Sequence, residues 1–261
     1  GAAGGQLIMR NGFTATGTAT LQSGVLGVAS TNSATVNAIN ITGAPGSGAI
    51  LRIAGNSGAS TLNVGSGGIT ASGGEIQVKF NTSNQDAVLN LGGDFTATVN
   101  VAITNAGYNG ANLNVINLDA TRTFSIANGT TTTVAPDITG AGGLTKSGAG
   151  TLTLGTLCAA TYTGDTVISG GVLNVLGTAT GTNIFVSGGT LAGTGSIITG
   201  AAGVEVTAGG KLAPGNNGAG TMIINLNGGE LNLTAAVTPS ASATLAYDID
   251  TPATSDKIIS A

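Results

Sequence analysis

The chain has 261 residues, a formal net charge of -4, 7% charged residues, 3% aromatics, 46 glycines, one cysteine and no histidine. Globular domains carry about 25% charge, and the seven Lys and Arg stand singly, which excludes an electrostatic grip on nucleic acid or an anionic membrane. Without histidine, Ser-His-Asp and Cys-His nucleophiles and histidine metal sites are excluded too.

In chain order, Gly1-Ala2-Ala3-Gly4-Gly5 has neither the charged nor the apolar region of a signal peptide, so an exported form is expected to be processed or trimmed. Gln6-Leu7-Ile8-Met9 opens a strand at once, and Leu26 follows Leu7 at a step of 19. Between Leu26 and Ile76 the register stays open, because Ile41, Leu51 and Leu62 compete and Gly43-Ala44-Pro45-Gly46-Ser47-Gly48 reads as a longer corner. From Gly73-Gly74-Glu75-Ile76 onward an aliphatic or aromatic position recurs at Phe95, Leu113, Val134, Leu152 and Leu173, in steps of 19, 18, 21, 18 and 21. The clearest phrase, two glycines and then a variable and an aliphatic residue, ends at Leu173, Leu191, Leu212 and Leu231, with steps of 18, 21 and 19.

That stride is too long for a hairpin and too short for a βαβ unit. At about 3.3 Å per residue it fits three short strands and three corners, one turn of a coil whose next turn lies about 4.8 Å above. Triplets such as Leu89-Asn90-Leu91 and Leu173-Asn174-Val175 alternate in, out, in, as half-buried strands do. Glycine pairs mark corners, and stacked turns build a core that no single turn could bury. The expectation is one all-β domain over 1–261, a right-handed parallel β-helix of about 12 to 13 coils of about 18–21 residues, with 1–140 less regular than 141–261. No apolar run reaches the roughly 18 residues that span a bilayer, so no membrane insertion by this chain is expected.

Gly142-Gly143-Leu144-Thr145-Lys146-Ser147-Gly148-Ala149-Gly150-Thr151-Leu152-Thr153-Leu154, then Thr161-Tyr162-Thr163-Gly164 and Ser169-Gly170-Gly171, resemble the passenger-associated repeat of type V autotransporter passenger domains. Leu191-Ala192-Gly193-Thr194-Gly195-Ser196-Ile197, Leu212-Ala213-Pro214-Gly215-Asn216-Asn217 and Ala246-Tyr247-Asp248-Ile249-Asp250 are similar to the phrases that follow it, so the resemblance covers 141–259. Asp165 stands where a second glycine is usual, and Leu157-Cys158-Ala159-Ala160 replaces a Gly- and Asn-containing corner, so an altered bend is expected there. The resemblance implies a secreted or bacterial cell-surface protein, although the repeat also occurs in exported proteins that lack the membrane barrel.

Candidate chemistry is sparse. Glu75 and Asp94 are one step of 19 apart, which predicts that they stack about 4.8 Å apart on one surface. That separation resembles the two carboxyls of a retaining glycosidase, with Lys79 and Phe80 near in sequence; the alternative is a solvated pair. The same rule pairs Lys211 with Glu230. Asp248, Asp250 and Asp256 read as outward strand residues or a cation site, and Thr130-Thr131-Thr132-Thr133 as a flat threonine row that suits ice or carbohydrate, or as an ordinary strand. Cys158, alone, cannot form an internal disulfide and reads as a small apolar filler or as an intermolecular or reactive thiol.

No cofactor and no metal are expected. The function expected is a non-enzymatic extracellular scaffold, a surface-layer-like or adhesive module. Its partners would be a glycan or protein receptor, or further copies meeting at exposed end coils for which no capping helix is evident. The alternatives are a polysaccharide-degrading β-helix using Glu75 and Asp94, and an ice- or carbohydrate-binding module.

Overall fold

The computed structural model describes residues 5–10, 12–29, 32–44, 47–55, 58–80, 86–105, 114–207, 209–215, 220–233, 244–247 and 257–260. These residues form strands that pair in parallel with the strand one turn away, and they build three faces of a parallel β-helix.

Face I is a ten-stranded sheet: Gln6–Met9, Val25–Ala29, Ile50–Gly55, Glu75–Phe80, Val101–Thr104, Thr131–Val134, Thr151–Leu154, Val172–Val175, Thr190–Gly193 and Lys211–Pro214. Faces II and III belong to one 17-stranded sheet, because five strands run across both: Phe13–Leu21, Ser33–Ile41, Ser60–Ala71, Thr178–Val186 and Ser196–Val206. Register shifts between Ala15 and Thr18, Val36 and Ala38, and Thr180 and Ile184 mark where these strands bend round the edge. Elsewhere the two faces are separate strands, as with Ala87–Leu91 on face II and Phe95–Ala97 on face III. No helix among the described residues is long and apolar enough to cross a membrane, which says nothing of β-barrels.

The stack has fewer and longer turns than the sequence spacing predicts. Along face I the pairs Leu7–Leu26, Leu26–Leu51, Leu51–Ile76, Ile76–Ile103 and Ile103–Val134 advance the sequence by steps of 19, 25, 25, 27 and 31. After that, Val134–Leu154, Leu154–Val175, Leu173–Leu191 and Leu191–Leu212 give 20, 21, 18 and 21. Among the described residues face I has ten rungs and faces II and III eleven each, against the expected 12 to 13 coils. The reason is that every face presents an in-out-in triplet. Phe95, one step of 19 beyond Ile76, lies on face III opposite Ile69 and Phe124. Leu113 lies outside the described residues. Leu51 is the true successor of Leu26, whereas Ile41 and Leu62 pair on the other faces.

The core is a set of vertical files. Leu152, Leu173, Leu191 and Leu212 stack on face I and are at most 1% exposed. Leu231 leaves that file and stands opposite Val204 on face III. A second file on face III runs Ile39, Ile69, Phe95, Phe124, Lys146, Ile168 and Val186. Each fully buried aliphatic side chain contributes about 1.5–3 kcal/mol, so the files supply most of the cohesion between turns. Two corners show why glycine is required. Gly171 has φ +62° and a Cβ there would meet the Gly150 carbonyl at 2.2 Å; at Gly73 a Cβ would meet the Gly43 carbonyl at 1.7 Å.

Candidate functional site

Outward-facing positions alternate with the core files. On face I one outward file passes from Ile50 to Glu75, then Ala102 and Thr133. Ala102 is the smallest member, set between Glu75 and Thr133, and the surface dips over it. The resulting groove, about 430 Å³, is lined by Gly74, Glu75, Asn100, Val101, Ala102, Thr131 and Thr133. A smaller groove of about 250 Å³ adjoins Glu75 on its other side, lined by residues including Ala44, Ser47 and Ile50.

Glu75 is held in place by its neighbours. Thr104 Oγ1 donates to Glu75 Oε1 at 3.0 Å, and Gln77 Nε2 donates to Oε2 at 3.0 Å. Arg52 Nε donates to Gln77 Oε1 at 2.8 Å, so a guanidinium sits behind the amide that orients the carboxylate. At the groove's corner Asn100 Oδ1 accepts the Thr131 backbone N-H at 2.8 Å.

Asp94 does not join this arrangement. In the long turn that pairs Ile76 with Ile103, the register places Ala102 over Glu75, while Asp94 precedes Phe95–Ala97, on face III. Its Oδ1 accepts the Thr123 backbone N-H of the next rung at 2.8 Å. The predicted stacking of Glu75 on Asp94 is therefore corrected: the step from Ile76 to Ile103 is 27 rather than 19, and it leaves the second acid only part of the way round. The Lys211–Glu230 pair fails for the same reason, since Lys211 faces Thr190 on face I and Glu230 stands opposite Gly203 and Lys257 on face III.

The four threonines do not form a flat row. Thr131 and Thr133 point out and are exposed, Thr132 is buried in the core file over Leu152, and Thr130 Oγ1 turns back to the Ala127 carbonyl at 2.7 Å. Cys158 is 1% exposed, and burial, helped by the nearby Asp137 charge, pushes its thiol up to about 12, so it is not a thiolate near neutrality. Lys79 and Phe80 lie in the strand Glu75–Phe80 with side chains outside the described residues, as Asp248, Asp250 and Asp256 are altogether.

Polar groups missed by the spacing argument are mostly those that tie one rung to the next. Lys146 points inward between Phe124 and Ile168 and is fully buried. Its Nζ donates to the carbonyls of Ser147 (2.6 Å), Gly148 (2.9 Å) and Gly170 (3.1 Å), which uses all three ammonium hydrogens on a glycine corner. Burial lowers its pKa to about 8. The in-out-in reading of Leu144-Thr145-Lys146 already points Lys146 inward. Further on, Tyr162 Oη shares a 2.7 Å hydrogen bond with Thr166 Oγ1, which shares one of 2.8 Å with Thr182 Oγ1, and Thr182 donates to the Gly164 carbonyl at 2.9 Å. Tyr162 is buried, and desolvation raises its pKa well above the usual phenol range. On face II, Asn90 Nδ2 donates to Asn63 Oδ1 (2.7 Å) and Asn117 Nδ2 to Asn90 Oδ1 (3.0 Å), a ladder over three rungs.

Comparison with known proteins meets this geometry at one place. Residues 144–175 match the family model described as the passenger-associated-transport-repeat. In the structure that segment is a full circuit, from Leu144–Ser147 to Thr166–Ile168 on face III, plus the next strand, Val172–Val175 on face I, and it holds the Lys146 cap, Tyr162 and Gly171. This segment is a passenger-associated-transport-repeat. An 86-residue stretch, 33% of the chain, is 43% identical to an extracellular serine protease of Serratia marcescens, and covers 8% of that protein. No solved structure matches the chain.

Proposed function

We propose that this passenger repeat domain is a non-enzymatic scaffold on the outside of a bacterial cell or in a secreted protein, where its turns space and display other surfaces. The use made of its carboxylates carries the reading. Asp94 accepts the Thr123 N-H at 2.8 Å, Asp137 the Ala159 N-H at 2.8 Å, and Asp165 the Asn183 side-chain amide at 2.9 Å. Each acid bonds across to a neighbouring rung, as a staple does. A two-carboxylate hydrolase needs its acids facing one bond about 5–10 Å apart, and Glu75 and Asp94 stand on different faces.

Two measurements test it together. In cells making the full-length native protein, external protease is expected to remove this domain from intact cells or it is expected in the medium. The purified chain is expected to release no reducing ends from polysaccharide. Protection inside intact cells, or turnover lost in Glu75→Gln, overturns the reading.

A further inference from the structure

We infer that the face I trough astride Glu75 is a binding site for a neutral, polyhydroxylated glycan chain. The inference rests on the surface-scaffold reading for access to such a ligand. The main groove, about 430 Å³, is shallow and open to solvent, and the second, about 250 Å³, shares Gly74 and Glu75 with it. The trough therefore continues past the carboxylate on both sides, which suits a ligand with repeating units better than a compact one.

The lining chemistry narrows the ligand. Glu75 is an acceptor whose two oxygens are fixed by Thr104 and Gln77, each with further accepting capacity. Asn100 commits its carbonyl oxygen to Thr131 N-H and keeps an NH₂ donor. Thr131 and Thr133 are exposed hydroxyls that donate and accept. Neighbouring acceptors, donors and two-way hydroxyls are what sugar diols require. An anionic glycan would meet the carboxylate, with no cationic residue among those lining the groove. An extended peptide would need a free strand edge, but Val101–Thr104 is paired on both sides, to Glu75–Phe80 and to Thr131–Val134. A metal ion would want several carboxylates, and no group of three or more His, Cys, Asp or Glu converges among the described residues.

Titration calorimetry of the purified chain with cellohexaose, chitohexaose and xylohexaose, and with polygalacturonate as the anionic arm, tests the site. At least one neutral hexamer is expected to bind in the micromolar to millimolar range and polygalacturonate not to bind. Ala102→Ile, which fills the floor, and Thr131→Val with Thr133→Val, which removes the hydroxyls at constant shape, are each expected to weaken binding at least about tenfold. Thr70→Val, on face III, is expected to bind as the parent does. Thermal melts of all variants verify that the fold persists. No binding by any neutral hexamer, preference for polygalacturonate, or unchanged affinity in both groove variants overturns the proposal. Failure here leaves the surface-protease result, which tests the scaffold reading, unaffected.

Discussion

The turns up to Val134 and those after it solve one packing problem in different ways. Before Val134 the steps along face I run from 19 to 31, and the described interior files are chiefly aliphatic and aromatic, with Phe95 and Phe124 stacked at a centroid distance of 5.4 Å. From Val134 to Leu212 the steps hold between 18 and 21, and the interior takes in Lys146 and the Tyr162–Thr166–Thr182 chain. Turns of even length bring corners directly over one another, so a corner carbonyl lies within reach of a side chain or glycine of the adjacent turn. Uneven turns place their extra residues between faces, as between Ile41 and Ile50, and there hydrophobic contact does most of the work. Polar groups inside the even region should thus be worth most where corners coincide.

The sharpest way to break that contrast is at a shared corner. Gly171→Val places a β-branched residue at φ +62° with its Cβ 2.2 Å from the Gly150 carbonyl. The expected loss exceeds about 4 kcal/mol, read as failure to fold or a large fall in the urea midpoint. Gly5→Val, where a Cβ meets nothing within 4 Å, is expected to change little by the same assay.

Next in size is the buried ammonium. Lys146→Ala removes three donors and leaves a cavity beside Phe124 and Ile168, with an expected cost of about 2–4 kcal/mol. Lys146→Met keeps the stem volume and should cost less. The pH dependence separates charge from packing. With a folded pKa of about 8 against 10.5 unfolded, the unfolded chain holds more protons between those values, so this lysine makes stability rise with pH across that window. Its full penalty, on the order of 3 kcal/mol at most, is present below pH 8. Cys158 and Tyr162 act in the opposite sense, because their raised folded pKa values lose stability as pH climbs above their unfolded values of 9.0 and 10.0. The readout is therefore the difference between parent and Lys146→Met from pH 7 to 10. A difference that does not change with pH contradicts the buried charge.

Much of this was readable from residues alone. Gly-Gly-x-Leu phrases locate the face I strands at Leu173, Leu191 and Leu212, and in-out-in triplets name most core positions, because period 2 fixes which side of a strand a residue takes. Spacing fails where turn length varies. An apolar residue one stride further on can belong to the same face of the next turn or to another face of the same turn, and Phe95 and Leu231 are of the second kind. The trough at Glu75 is half legible in the sequence: the stride marks Glu75 and the run of four marks the threonines, but only a step of 27 followed by one of 31 brings Glu75, Ala102 and Thr133 into one file.

A smaller effect tests the staples. Asp94→Ala deletes the acceptor for Thr123 N-H in the uneven region, and the expected loss is about 1 kcal/mol because the site is exposed. Asp165→Ala, in the even region, removes the acceptor of Asn183, whose own Oδ1 receives the Ala202 N-H at 2.9 Å. That linked chain over two rungs should make its loss the greater of the two. Equal losses would mean that even stacking confers no extra value on polar ties.

The smallest expected effect is the most discriminating for register. An equal stride of 19 joins Lys211 to Glu230, and a stacked surface pair would show a coupling of about 0.2–1 kcal/mol. The observed ladders put Lys211 beside Thr190 on face I and Glu230 between Gly203 and Lys257 on face III. A double-mutant cycle with Lys211→Ala and Glu230→Ala, read from urea midpoints, is then expected to give additive losses, because the two residues stand on separate faces. Should the two couple instead, Lys211–Pro214 and Glu230–Leu233 would have to share a face, and the shift of Leu231 away from the leucine file would have to be withdrawn.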